Sequence, residues 1–178
     1  MGVAIRRLTS TTGVLVQPVQ DLTDFTNDPA RYLIDLYADE DIAATAWLGA
    51  GESHRFTYND GVITLAWDGT PLLGIPDWDD ICTLWSYLVN VVEDYLSTGR
   101  GESFFPGHPA PIVLERIRGG ALVTVAETRL RVDSMIFCGE LLDEAERFWR
   151  WVDRNEVPVH GGAELARIDL TRRRIPRE

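Results

Sequence analysis

Asp77, Asp79 and Asp80 stand within four positions of one another, and His108 follows in a proline-rich stretch further along. A carboxylate that orients an imidazole makes a usable general base, so a fold that closed the gap would assemble a small hydrolase-like Asp/His site. The same acids also fit a plainer role, because carboxylates at a helix start cap free N–H groups and complement the helix dipole. Signatures of a defined chemistry are missing: there is no G-x-S-x-G elbow, no GK[ST] phosphate loop, no G-x-G-x-x-G and no H-E-x-x-H. His54, His108 and His160 fall in three separate segments and share no ligand spacing. Asp21, Asp24 and Asp28 would share one face if a turn formed, but Thr26, Asn27 and Pro29 are poor helix material and calcium-loop spacing is absent. Cys82 and Cys138 form no CxxC pair and lie among apolar residues, as reduced buried thiols do. No catalytic residue, metal or cofactor is therefore assigned from sequence.

The acids open the most regular stretch of the chain. Ile81, Leu84, Trp85, Leu88, Val91, Val92, Tyr95 and Leu96 recur in steps of three and four, which predicts an amphipathic helix over 77–98, with Asp77 and Asp80 at its start and Gly99 ending it. Its opposite face carries Asp79, Asp80, Thr83, Tyr87, Asn90 and Asp94, an aromatic set among polar groups that suits a partner contact. A second helix is expected over 138–155, with Phe137, Leu141, Ala145, Phe148, Trp149 and Val152 as its buried stripe. Asp143 with Arg147 and Glu146 with Arg150 form acid-before-base pairs at four-residue spacing. Trp151 falls at the edge of that stripe and is a further partner-contact residue.

The remaining segments read mainly as strands. Val3–Leu8 and Gly13–Val19 flank a polar turn, and Arg31–Tyr37 reads as a further strand. Ile42–Leu48 is broken by Gly49-Ala50-Gly51, and Asn59-Asp60-Gly61 signals a hairpin between 54–58 and 62–67. Residues 100–111 carry three prolines and predict a loop in which Phe104 and Phe105 anchor or line a pocket beside His108. Ile112–Ile117 and Ala121–Ala126 form a hairpin across Gly119-Gly120, with Thr128–Ile136 as its third strand. Residues 157–170 lack a firm period. The expected architecture is α+β: antiparallel strand meanders packed against two main amphipathic helices, in one domain over 1–178.

Charge then bounds the partners. The net charge is −11, and all 17 basic residues are arginine, a composition that suits a GC-rich bacterial genome. Residues 167–178 carry +3 and residues 1–166 carry −14, so a basic C-terminal segment follows an acidic body. That segment can fold back, reach a second copy or stay solvated. Negative charge repels phosphate backbones, which argues against nucleic acid and for a basic protein partner. No apolar run is long enough for a membrane span and Met1–Ser10 lacks a signal-peptide core, so the expectation is a cytoplasmic protein in a reducing compartment. The expected function is an acidic protein-binding module, an inhibitor or immunity-type protein that neutralises a basic partner such as a bacterial toxin. The alternatives are a self-associating structural or adaptor subunit, a homo-oligomer, and the small Asp/His hydrolase.

Overall fold

A computed structural model describes residues 6–38, 40–53, 59–159 and 161–176. The chain runs β1 (Leu8–Leu15), α1 (Leu22–Asn27), β2 (Leu33–Asp35), α2 (Glu40–Ser53), β3 (Asp60–Trp67), β4 (Thr70–Leu73) and β5 (Asp79–Asp80). It continues through α3 (Ile81–Thr98), β6 (Arg100–Phe104), β7 (Pro111–Ile117), β8 (Gly120–Val125), β9 (Thr128–Val132), α4 (Ser134–Arg154) and α5 (Gly161–Arg172). Every strand pairing is antiparallel, so the fold is α+β as expected. One sheet has the order β2-β1-β3-β4, with β5 also on β3, and the second has the order β6-β7-β8-β9.

The central helix forms where its periodicity places it. All of its predicted apolar stripe is buried except Leu96, which is partly covered. Its N-cap is Asp80, whose Oδ1 accepts from the Thr83 N–H at 2.7 Å. Gly99, at φ 85°, takes the left-handed conformation that ends the helix. Asp77 lies outside α3: its Oδ2 accepts from the Gly74 N–H at 2.8 Å and closes a short 3-10 turn over Ile75–Asp77. β6 then lies against α3 so tightly that a Cβ on Gly101 would be driven into the Val91 carbonyl.

Several expectations are corrected. Residues 8–15 form one continuous strand and not two, pairing along its length with β3. Ile42–Leu48 belongs to helix α2, which runs through Gly49-Ala50-Gly51 to Ser53 because Trp47 and Ala43 are drawn against the core. Asp60 and Gly61 are strand residues of β3, and a tight turn with two residues at positive φ follows at the end of that strand, at Asp68-Gly69. The 54–58 arm of the expected hairpin and His54 and His160 lie outside the described residues. Arg100–Phe104 pairs as an edge strand, since the first proline of that stretch is Pro106. The second helix starts earlier than expected, at Ser134, because Asp133 caps it through the Ile136 N–H at 3.1 Å.

The basic C-terminal segment folds back. It forms α5 and lies on α3 and α4, with Arg167 donating to Asn90 Oδ1 at 2.6 Å and to the Ser86 carbonyl at 2.8 Å. Arg172 pairs with Asp143 at 2.8 Å and with Glu146. Glu146 with Arg150 at 2.5 Å is the expected pair, whereas Arg147 pairs with Glu144 instead of Asp143. No helix among the described residues is long and apolar enough to cross a membrane.

Candidate functional site

Two residues of strand decide where the acids go. Asp79 and Asp80 pair with Gly61 and Asp60 of β3, which brings three carboxylates to the start of α3. Gly61 allows this packing, because a Cβ there would strike the Gly13 carbonyl of the neighbouring strand. From this junction the three side chains have different surroundings. Asp80 turns onto α3 as its cap. Asp79 turns inward and is 7% exposed, with Oδ1 accepting from the Asp80 N–H and Oδ2 from the Gly107 N–H, each at 2.8 Å. Asp60 is partly buried, and that burial, together with the charges of Asp80 and Asp79, holds its carboxyl above the usual carboxylate range.

The loop after β6 covers this junction. Phe105 is buried and anchors it, and the His108 ring stacks on Phe105 with centroids 4.4 Å apart. His108 Nδ1 then stands 3.5 Å from Asp79 Oδ2. Glycine at 107 eases the approach, since a Cβ there would come within 3.1 Å of Asp79 Oδ1. The structure thus brings Asp79 and His108 together, while Asp77 and Asp80 serve their own turns. At 3.5 Å the two groups are close but make no direct hydrogen bond. The Cys82 thiol, in the first turn of α3, is pushed up by burial and by the Asp80 charge, so it offers no thiolate. A groove of about 520 Å³ lies away from this dyad, between α4 and α5 beside Ile136, Asp143 and Arg172. What the junction concentrates is negative charge.

Its electrostatic setting differs from that of the seam between α4 and α5. There several carboxylates are compensated by arginine: Asp143 meets Arg6 and Arg172, and Glu144, almost fully buried, meets Arg6 and Arg147. Glu164 meets Arg167, and Asp169 meets Arg173. At the start of α3, no described arginine forms an ion pair with Asp60, Asp77, Asp79 or Asp80. Uncompensated carboxylates therefore gather at one end of the central helix.

Of the contact residues expected from sequence, Asp80, Thr83 and Tyr87 remain at least partly exposed beside this junction, and Asp94 is exposed near the far end of α3. Asn90 is occupied by Arg167 of α5. Asp79 is buried under the His108 loop. Trp151 is a correction: it is fully buried, stacked on Trp47 of α2 at 5.5 Å, because a helix that the sequence did not reveal covers it. Asp60 was not anticipated, since its role depends on a non-local pairing with Asp80 that no local pattern encodes. Gly107 gave only a turn signal. Among the described residues, no cluster of His, Cys, Asp and Glu has the makings of a metal site. No protein-family model, curated protein or solved structure matches this chain.

Proposed function

We propose that this chain is an acidic protein-binding module that takes up a basic partner at the start of α3, as an inhibitor or immunity-type protein neutralises a cationic toxin. The observation that carries the reading is the convergence of Asp60, Asp79 and Asp80, flanked by Asp77, with no described arginine paired to them. Such a patch draws a cationic surface by long-range attraction and speeds encounter. Asp80, Thr83 and Tyr87 extend the contact along α3, with Tyr87 as its aromatic anchor. The hydrolase reading gains the Asp79–His108 contact, but Phe105, Gly107 and the Asp80 N–H already account for that geometry as a loop anchor.

The test is calorimetric titration of the full chain with a nona-arginine peptide at about 20 mM and about 500 mM salt, where exposed charge contacts are respectively strong and screened. Binding at low salt that is lost at high salt, and is weakened in the triple variant D60N/D77N/D80N, supports the reading. Those amides keep the turn and cap acceptors while removing three charges. Equal binding by the variant and the native chain would refute it.

A further inference from the structure

Among the described arginines, Arg116, Arg118, Arg129 and Arg131 alone make no ion pair, and all of them belong to one unit, strands β7 to β9 and their turns. In a chain of net charge −11 a cation has many carboxylates to choose from, so four unpaired arginines in one unit call for a cause. Arg116 lies over the Tyr95 ring at 5.7 Å, near the end of α3. Arg129 and Arg131 stand opposite Thr124 and Leu122, are exposed, and alternate with the partly buried Leu130 and the buried Val132. Arg131 also donates to the carbonyls of Arg118 and Gly119 at 3.0 and 3.1 Å, which ties the turn arginine to the strand. Charges on an edge strand deter unwanted strand pairing, which explains one such residue but not why four arginines make no ion pair in a unit that also carries Glu115 and Glu127.

The acidic mouth and the Arg118 turn lie toward opposite ends of the same helix, and the register sets Arg129 partway between them, level with Glu102. Gly107 binds Asp79 at the start of α3, and the Arg116 N–H donates to the Gly99 carbonyl at its end. Eighteen residues at 1.5 Å each separate the two levels by about 27 Å, so the acidic mouth and the β7–β8 turn bearing Arg118 do not neutralise one another within a copy. β9 is the outer strand of its sheet and pairs only with β8 among the described residues, which leaves its other edge unpaired. We infer that the arginine edge formed by Arg118, Arg129 and Arg131 docks on the acidic mouth, Asp60, Asp77 and Asp80, of a second copy of this chain. The contact is head-to-tail, joins two different patches, and so closes into a ring or continues as a filament according to the rotation between copies. The inference rests on the reading of the mouth as a cation-binding surface and names one cation source for it.

Sedimentation velocity over a wide range of concentration tests it. At about 20 mM salt the native chain should gain mass with concentration, and at about 500 mM it should run as a monomer, a loss of at least about tenfold in association. R118E/R129E, which leaves Arg131 on its carbonyls, should be monomeric, and so should D60K/D77N/D80N. An equal mixture of R118E/R129E with D60N/D77N/D80N should form a dimer and stop, because each copy then keeps one complementary patch and the two altered patches do not attract each other. Should the lysine variant fail to fold, D60N/D77N/D80N takes its place and should be monomeric alone. A native chain that is monomeric at every concentration in low salt overturns the inference, as does self-association unchanged in R118E/R129E. If such a monomer still binds nona-arginine, the mouth remains a cation-binding surface and only the self-pairing falls; if it does not, both fall.

Discussion

Replacing Asp79 by Asn should unlatch the His108 loop and destabilise the chain, and the size of the effect follows from which atoms accept. In the native chain both carboxylate oxygens receive backbone N–H groups, those of Asp80 and Gly107, each at 2.8 Å. An amide keeps one acceptor and presents an NH₂ to the other donor, so one charge-assisted bond of about 1.5–3 kcal/mol is lost. Gly107 is exposed and can bond water instead, which reduces the expected cost of D79N to about 1–2 kcal/mol. Asp79→Ala loses both acceptors and should cost about 2–4 kcal/mol. With a urea slope of about 2 kcal/mol per M for a domain of this size, tryptophan-monitored midpoints should fall by about 0.5–1 M for D79N and about 1–2 M for D79A. Asp80→Asn is the control, because Asn caps a helix as well as Asp does, and should shift the midpoint by less than about 0.2 M. A D79N midpoint equal to that of the native chain would refute the loop-anchor assignment, and so would a D80N midpoint that fell equally far.

Three further outcomes follow from the packing and the charges. Gly101→Ala forces a methyl against the Val91 carbonyl, so β6 must move off α3 and the chain should lose at least about 2–3 kcal/mol in a urea melt. Asp60 has a raised carboxyl value in the folded chain, so the folded state holds its proton more tightly than the unfolded one and ionisation costs stability. That cost is absent below the unfolded value and full above the raised one; Asp60→Asn should therefore stabilise by about 0.5 kcal/mol at pH 7, its exposure screening the repulsion, and by nothing near pH 3. Comparing urea midpoints at the two pH values reads this directly. Burial pushes the Cys138 thiol up to about 12 and the Cys82 thiol up as well, so neither should react with iodoacetamide in the native chain near pH 8, and both should be alkylated in urea, as mass spectrometry would read.

What could be read from sequence was what local periodicity encodes. α3 and α4 announce themselves because their apolar residues repeat at helical spacing over many turns, and the β7–β8–β9 unit does so through alternation and Gly119-Gly120. α2 and α5 did not, because glycines interrupt α2 and α5 buries only Gly161, Ile168 and Thr171, too few to draw a stripe. The cover of Trp151 could not be foreseen once α2 was missed, and the assignment of Asn90 to a free face failed because Arg167 claims it from a distant helix. The candidate site was half legible. The run Asp77, Asp79, Asp80 and the loop residue His108 stand out by type, but the register that adds Asp60 and the pairing of Asp143, Glu144 and Glu146 with Arg6 and Arg172 arise only from tertiary packing.

The central claim is that the start of α3 is a surface for cations, and amide chemical-shift mapping of the full chain during titration with nona-arginine tests it residue by residue. The account predicts that the largest shifts fall at Asp60, at Asp77–Thr83 and at Gly107–His108, and that they vanish at about 500 mM salt. Shifts confined to α4 and α5, or no shifts at low salt, would contradict it.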